Sequence, residues 1–257
     1  MSSIVVTGAS SGIGAALARL YARQRAHLLL SGRDRERLAR IADACAADAA
    51  LVETATVDVR ERAAMLETIW EFDARHPLDV AVANAGITNI LAPGTPVEPG
   101  DAVERVISTN LLGAFNTAAP AAERMAARGA GRIGLVGSIA GLRGLPYSPA
   151  YCASKAGLKA MGDAMRAKLG KYGVSVTIAS VGFVATPLDD GIASPKPFRM
   201  SAERAAARIA AAIGAGRAHV AFPLPLVAAV RALSLLPPRL GDAILRRIRV
   251  SARTNDE

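Results

Sequence analysis

The hydrophobic pattern of the chain alternates between short apolar runs and longer stretches of helical period. Seven short runs are rich in apolar and β-branched residues, which predicts strands that are buried on both faces. Between them, alanine, leucine and arginine recur at the spacing of helices with one apolar face. The predicted strands cover residues 4–7, 27–31, 51–57, 80–83, 132–137, 175–180 and 219–222, and the predicted helices cover residues 13–24, 34–47, 61–74, 101–128, 149–172 and 202–215.

This alternation predicts an α/β fold, because neighbouring parallel strands need helical crossovers between them. We expect a single-domain, Rossmann-type doubly wound parallel sheet of about seven strands, with a helical C-terminal extension. The sheet domain covers residues 1–222, and residues 223–257 form an extension that is first apolar and then basic and amphipathic. In such sheets a ligand binds beyond the carboxyl ends of the strands, so the residues that follow each strand are candidates for a site.

The 257-residue chain carries a net charge of +9, and most of this charge lies at one end. Residues 196–257 hold 11 lysines and arginines against 4 acidic residues, a balance of +7. Aromatic interleaving and nucleic-acid-binding motifs are missing, so we expect no nucleic-acid partner. Cys45 and Cys152 lack metal-ligand spacing and the three histidines are scattered, which predicts free thiols and no metal site. The first residues do not read as a secretory signal, so we expect a cytoplasmic protein.

A glycine-rich turn follows the first predicted strand and opens the first predicted helix. Gly8, Gly12 and Gly14 carry no Cβ atoms that would block a tight turn, an approaching pyrophosphate or close packing of the helix on the strand. The amino terminus of the helix adds its dipole and its free amides. The sequence therefore predicts a dinucleotide phosphate cradle, formed by Gly8, Ser10, Ser11, Gly12, Ile13 and Gly14.

The glycine spacing, G-x-x-x-G-x-G, resembles the motif of the short-chain dehydrogenase/reductase family. The resemblance recurs in order along residues 4–222, with motifs after several of the predicted strands. It implies an adenine contact at Asp58-Val59, the family's Asn-Ala-Gly motif at positions 84–86, and a nicotinamide-binding segment after the sixth strand in which Val181 replaces the usual proline. The cofactor-binding residues that it adds are Asp58, Val59, Asn84, Ala85, Gly86, Tyr151, Lys155, Gly182, Val184 and Thr186.

The second predicted strand ends at a position that distinguishes the two nicotinamide cofactors. An acidic side chain there would accept hydrogen bonds from the ribose hydroxyls of NAD and would repel a phosphate. The residues are Ser31-Gly32-Arg33, and the Arg33 guanidinium can bind a phosphate with two N–H groups. We therefore expect NADP(H) as the preferred cofactor, with NAD(H) as the alternative because Asp34 is adjacent.

Tyr151, Lys155 and Ser138 are the candidate catalytic residues. Carbonyl reduction and alcohol oxidation both need a group that exchanges a proton beside the reacting carbon. Tyr151 and Lys155 are four residues apart on one helix face, so the ammonium is expected to lower the phenol pKa. Ser138 ends the fifth strand, where its hydroxyl is placed to stabilise charge on the substrate oxygen. The resemblance adds Asn110, which it implies holds a water in a proton relay from Lys155.

Residues 188–200 show no clear hydrophobic periodicity, which predicts a loop that forms a lid over the substrate. Beyond residue 222, a proline-bounded apolar run precedes a helix in which Leu240, Ile244 and Ile248 share one face. This hairpin either docks on the body of the protein or a partner subunit as a wall of the site, or lies on an anionic membrane surface. We favour docking, because the apolar run looks like a helix buried on most of its sides.

The function that these observations predict is NADP(H)-dependent hydride transfer to or from a carbonyl or secondary alcohol of a small, apolar substrate. Two alternatives remain open, a non-catalytic dinucleotide-binding sensor or scaffold, and an NAD-preferring dehydrogenase associated with a membrane surface. The resemblance implies a homodimer or homotetramer packed through the helices around Asn110 and Tyr151.

Overall fold

A seven-stranded parallel sheet forms the centre of the structure, a computed structural model that describes residues 1–92, 94–247 and 250–252. Its strands are β1 (Ser3–Thr7), β2 (His27–Gly32), β3 (Leu51–Thr56), β4 (Val80–Ala83), β5 (Gly131–Ser138), β6 (Val174–Val181) and β10 (His219–Phe222). The spatial order is β10-β6-β5-β4-β1-β2-β3. The order reverses between β1 and β4, which is where such a sheet opens a crevice for a ligand. Within the described residues, four two-residue strands lie outside this sheet, namely β7 (Val184–Ala185), β8 (Ile192–Ala193), β9 (Met200–Ser201) and β11 (Ser251–Ala252).

Helices cover both faces of the sheet, as the two-sided burial of its strands requires. Two hydrophobic clusters form the core, one on each face, and residues such as Leu17 and Phe72 are fully buried in them. The helices α1, α2 and α8 pack on one face, and α3, α5 and α6 pack on the other. The helices are α1 (Gly12–Ala22), α2 (Arg35–Ala46), α3 (Arg62–Arg75), α4 (Gly100–Ile107), α5 (Gly113–Arg128), α6 (Pro149–Leu169), α7 (Pro187–Asp190), α8 (Ala202–Gly214), α9 (Leu224–Leu235) and α10 (Pro238–Leu245).

The Rossmann-type α/β fold and its seven parallel strands are confirmed, whereas the single helix predicted over residues 101–128 is wrong. This segment is α4, a π-helical turn over Ser108–Leu112 and then α5. The side chain of Asn110, inside the wide turn, binds the backbone of the loop after β4. Wide π turns of this kind frequently occur at functional sites.

The C-terminal extension docks on the body of the protein. Asp242 of α10 accepts a hydrogen bond from Arg143 at 2.9 Å, and the Ser234 hydroxyl donates to the carbonyl of Leu142 at 3.2 Å. Strand β11 pairs antiparallel with β8, which belongs to the predicted lid segment. The extension is therefore tied both to the loop after β5 and to the lid.

The expectation that α9 is buried on most sides is wrong. Within α9, all of whose residues the structure describes, Val227 alone is buried. The helix rests on the body through one face only, so its opposite face meets solvent. In α10, Leu240 and Ile244 lie on one helix face, as predicted, and both side chains are exposed. Ile248 and Arg249 lie outside the described residues. Among the described helices, none has the length and apolar character to span a membrane.

Candidate active site

The glycine turn between β1 and α1 has the close packing that its sequence predicts. Gly8 and Gly12 have positive φ values of +65° and +54°, which favour glycine. A Cβ on Gly8 would lie 2.7 Å from Cα of Ala85, and one on Gly14 would overlap the Gly8 carbonyl and lie 2.6 Å from Nδ2 of Asn84. The glycines therefore allow close packing of the turn on its neighbours, and the turn lines the cavity at the amino terminus of α1, a position that suits a dinucleotide phosphate.

Asn84 joins this turn to β4. Its Nδ2 donates to the carbonyls of Thr7 at 3.0 Å and Gly8 at 3.2 Å, and its backbone N–H donates to the Thr7 hydroxyl at 3.2 Å. With these bonds Asn84 fixes the distance between the turn and the end of β4. Gly86, two residues later, lies between Asn110 and Lys155. A Cβ on Gly86 would be 3.3 Å from Oδ1 of Asn110 and 3.5 Å from Nζ of Lys155.

The far end of the cavity, beyond β2 and β3, is rich in arginine. Arg33 is 62% exposed, and its Nη1 lies 4.0 Å from Oδ2 of Asp58. Asp34 caps α2, because its carboxylate accepts from the Arg37 N–H at 2.9 Å and pairs with the Arg37 guanidinium at 2.7 Å. These contacts with Arg37 hold the pKa of Asp34 below its usual value. Asp58 is held by two hydrogen bonds from the Arg60 guanidinium and one from its N–H.

Ser138, Tyr151 and Lys155 converge on the cavity that also contains the glycine turn. Ser138 is the last residue of β5, and Tyr151 and Lys155 lie in the first two turns of α6. Lys155 Nζ donates to the carbonyl of Val136 at 3.0 Å and lies 5.8 Å from the centre of the Tyr151 ring. A hydroxyl, a phenol and an ammonium therefore meet beside the end of the central strands.

The pKa of Tyr151 is raised in the structure, although the sequence predicts that Lys155 lowers it. Burial raises this pKa most strongly, and a hydrogen bond with Ser138 opposes the increase. The Lys155 ammonium is directed at the Val136 carbonyl rather than at the phenolic oxygen, which explains why it does not reverse the effect of burial. Burial also lowers the pKa of Lys155, to about 8. Tyr151 is therefore a neutral phenol near pH 7, and it can donate a proton.

Asn110 is buried behind the cavity and does not line it. Its Oδ1 accepts from the Ile87 N–H at 2.8 Å, and its Nδ2 donates to the Ile87 carbonyl at 2.9 Å and to the Ser154 hydroxyl at 3.0 Å. All these bonds join the π turn to the loop after β4 and to α6. The side-chain amide is thus used for positioning, and the predicted water relay stays a prediction.

The cavity collects almost all of the residues predicted for cofactor binding. Gly14 is the exception, because it packs behind the turn against Gly8 and Asn84. The predicted nicotinamide segment lies close to the glycine turn, since a Cβ on Gly12 would be 2.9 Å from Cγ2 of Thr186. The predicted residues that line the cavity are Gly8, Ser10, Ser11, Gly12, Ile13, Arg33, Asp58, Val59, Asn84, Ala85, Gly86, Ser138, Tyr151, Lys155, Gly182, Val184 and Thr186.

Glu98 is a buried residue beside the site that the sequence does not reveal. Its buried carboxylate accepts from the Ala150 N–H at 2.8 Å, at the amino terminus of α6, and from Asn89 Nδ2 at 2.8 Å. A carboxylate is favourable there because it satisfies a free amide and the helix dipole. Glu98 is separated from Tyr151 by 53 positions and lies in a loop, so no spacing connects them. It positions the first turn of the helix that carries Tyr151.

The outer part of the cavity is apolar and is formed largely by the C-terminal extension. The whole cavity has a volume of about 1470 Å³, enough for a dinucleotide and a second molecule. Arg143 and Tyr147, which the sequence analysis did not assign to the site, lie in this outer part, and burial raises the pKa of Tyr147 to about 12. Its apolar lining includes Leu145, Phe183, Leu188, Ile192, Leu226, Val230, Leu233, Leu245 and Val250.

The chain is similar to several known proteins. The family model for short chain dehydrogenases matches residues 2–196. An uncharacterized oxidoreductase of Myxococcus xanthus is 37% identical over 246 residues, which cover 95% of this chain and 96% of that protein. The 3-oxoacyl-acyl-carrier-protein reductase FabG of Rickettsia prowazekii is 33% identical over 187 residues, 72% of this chain and 74% of that protein. The crystal structure of levodione reductase has a similar fold, with a TM-score of 0.79 and 24% identity over 89% of this chain and 98% of that structure.

Proposed function

The chain belongs to the short-chain dehydrogenase family of oxidoreductases, and we propose that it transfers a hydride between NADP(H) and a carbonyl or secondary alcohol of an apolar substrate. The observation that carries this proposal is the convergence of Ser138, Tyr151 and Lys155 on one cavity with the glycine turn. That turn would hold the pyrophosphate, and Gly182, Val184 and Thr186 would hold the nicotinamide end. When bound, the cofactor supplies the hydride to the substrate carbon or accepts it from that carbon.

The residues of the chain handle the substrate oxygen and its proton. Ser138 donates a hydrogen bond to this oxygen and stabilises the charge that develops on it. Tyr151, neutral because burial raises its pKa, donates its proton as the carbonyl becomes an alkoxide. Lys155, with a pKa of about 8, is largely charged at pH 7, and its Nζ, 5.8 Å from the centre of the Tyr151 ring, is close enough for its charge to favour the phenolate that remains, although its hydrogen bond goes to Val136. The neutral phenol is the protonation state of Tyr151 that carbonyl reduction requires.

We propose that the protein prefers NADP(H) to NAD(H), because of the charges at the far end of the cavity. Arg33 and Arg37 both line it, and the carboxylate of Asp34 is engaged by the α2 amide and by Arg37. A carboxylate used in this way is a poor acceptor for ribose hydroxyls, whereas guanidinium groups suit a phosphate. NAD-preferring turnover is the alternative.

The apolar class of substrate and the assembly are also part of the proposal. The apolar side chains of α9 and the lid form the outer cavity, so they favour a carbonyl compound with an apolar body. The similarity to a 3-oxoacyl-acyl-carrier-protein reductase is consistent with such a substrate. Leu112 and Phe115 are exposed next to and within α5, which supports packing of this helix against its copy in a homodimer or homotetramer. The cytoplasmic location stays a prediction.

A panel of ketones, aldehydes and alcohols, assayed with NADPH and with NADH, tests the proposed reaction. We expect reduction of ketones with extended apolar groups and a higher kcat/KM with NADPH. Tight binding of NADPH without turnover of any compound on the panel would favour a dinucleotide-binding sensor or scaffold. Faster turnover with NADH would contradict the cofactor assignment.

The variant Arg33→Ala tests whether Arg33 binds the phosphate that distinguishes NADPH from NADH. We expect the Kd for NADPH to rise roughly tenfold, because an exposed charge-assisted pair with a phosphate contributes on the order of 1.5 kcal/mol. The Kd for NADH should change little. Arg35→Ala is the matched control, since Arg35 is exposed in the first turn of α2 and does not line the cavity. An equal loss of affinity for both cofactors, or no loss, would contradict the assignment.

A further inference from the structure

The C-terminal hairpin, which we define as α9, α10 and the turn between them (residues 224–245), has two different faces. Its inner face lines the outer cavity with Leu226, Val230 and Leu233. Its outer face is apolar as well, yet nothing in the described structure covers it. The exposed fractions are 70% for Leu224, 87% for Leu235 and 52% for Leu240. The hairpin therefore presents leucines both to the cavity and to the outside.

The exposed leucines of α9 form one stripe along the helix. Leu224, Ala228, Ala232 and Leu235 recur at intervals of four, four and three residues, which places them on one side. All four are exposed, whereas the residues of the opposite side are partly or fully covered. Leu240 in α10 is exposed as well. Such a pattern is that of a helix that lies along an apolar boundary rather than in bulk water.

The charges beside this stripe are almost all positive. Arg231 and Arg239 lie in the hairpin, Arg246 follows it, and all three are exposed and do not line the main cavity, whereas the exposed Arg247 does line it. Asp242 is the one acidic residue between positions 224 and 247, and it is paired with Arg143 at 2.9 Å. The outer face therefore combines apolar side chains with an excess of guanidinium groups, which is complementary to anionic lipid headgroups above an acyl layer.

We propose that the outer face of the C-terminal hairpin binds the surface of an anionic membrane. The leucines enter the boundary between headgroups and acyl chains, and the arginines pair with the lipid phosphates. A second copy of the chain is a poorer occupant, because a two-fold contact would bring the same arginines of both copies together. The binding does not depend on the reaction, but one consequence rests on the proposed function: the outer cavity would open next to the lipid, from which an apolar substrate could enter.

Co-sedimentation of the full-length chain with vesicles tests this proposal. The vesicles contain either phosphatidylcholine alone or phosphatidylcholine with phosphatidylglycerol, and we expect binding to the anionic vesicles that weakens as salt rises. The variant Leu235→Ser/Leu240→Ser should lower the partition coefficient roughly 100-fold, about tenfold per leucine. Arg231→Gln/Arg239→Gln/Arg246→Gln should lower it by a similar factor, about fivefold per charge.

Matched controls separate the hairpin from general effects. Val97→Ser removes a side chain that is 75% exposed elsewhere, and Arg23→Gln/Arg40→Gln/Arg62→Gln removes three exposed charges from other helices or their ends. Both should bind as the wild type does, with thermal unfolding confirming that every variant is folded. Wild-type protein that does not sediment with anionic vesicles, or hairpin variants that sediment equally well, would overturn the proposal. Loss of self-association in the leucine variant, without vesicle binding by the wild type, would assign the face to a second copy instead.

Discussion

Tyr151→Phe is expected to lower kcat roughly 10²- to 10⁴-fold, while the Kd for the cofactor changes little. The substitution removes the phenolic proton and leaves the ring, so the packing of the first turn of α6 is preserved. Because the Ser138 hydroxyl and the glycine turn are untouched, substrate and cofactor should still bind. Single-turnover kinetics together with a cofactor titration separate loss of chemistry from loss of binding.

Tyr147→Phe is the matched control for this loss. Tyr147 lines the same cavity, and burial raises the pKa of its phenol as well, to about 12. It precedes α6, however, and stands apart from Lys155 in the sequence. We expect this variant to retain most of the wild-type turnover. Equal losses in the two variants, or an unimpaired Tyr151→Phe, would contradict the assignment of Tyr151 as the proton donor.

Lys155→Met is expected to lower kcat roughly 10²- to 10³-fold, because one preorganised charge beside the reacting group is lost. The same variant should be more stable than the wild type near pH 7, by on the order of 2 kcal/mol. This estimate converts the lowered pKa into a cost of burying the ammonium and subtracts the lost hydrogen bond to Val136. Chemical denaturation and steady-state kinetics on one preparation measure the two opposite effects.

The gain in stability from Lys155→Met should depend on pH. The pKa of Lys155 is about 8 in the folded protein, below the ordinary 10.5 of a lysine. Between these values the unfolded chain binds more protons, so the wild type gains stability as the pH rises through this interval. The variant lacks this gain, so its advantage in the free energy of unfolding should be largest below about pH 8, should shrink between pH 8 and 10.5, and should be lost above pH 10.5, where the missing hydrogen bond to Val136 leaves it no more stable than the wild type. A constant difference across the interval would show that the buried charge is not its cause.

The double variant Tyr151→Phe/Lys155→Met should be little slower than the slower of the two single variants. In the proposed mechanism Lys155 acts on the proton of Tyr151, so its charge has nothing to stabilise once the phenol is gone. Residues that act as a unit show such non-additive losses.

The sheet could be predicted from the sequence because its inner strands are buried on both faces and therefore form apolar runs, whereas the edge strands β3 and β10 are only partly buried. The π turn at Ser108–Leu112 could not be, since one widened turn hardly alters a period of 3.6 residues over a long helix. The exposed outer face of α9 was also missed. An apolar run shows that a helix has apolar sides, but the number of sides that are covered depends on its neighbours in the fold.

The candidate site could be predicted to the extent that its residues follow strands or belong to local motifs. The glycine turn, Ser138 and the Tyr151–Lys155 pair meet this condition, and all of them line one cavity apart from Gly14. Glu98 does not, because it reaches the amino terminus of α6 from a loop distant in sequence. The direction of the Tyr151 pKa depends on burial and on where the Lys155 ammonium points, and neither can be read from a spacing of four residues.

Transfer of an isotope tests the central claim most directly. NADPH that carries deuterium on the reactive carbon of the nicotinamide, on the transferred face, is mixed with the wild-type protein and the best ketone of the panel, and the product is analysed by mass spectrometry. The proposed function requires one deuterium on the carbinol carbon of the product alcohol, with formation strongly slowed in Tyr151→Phe. The claim would be contradicted if the product alcohol carried no deuterium whichever face of the nicotinamide was labelled, or if the protein bound NADPH and reduced no ketone.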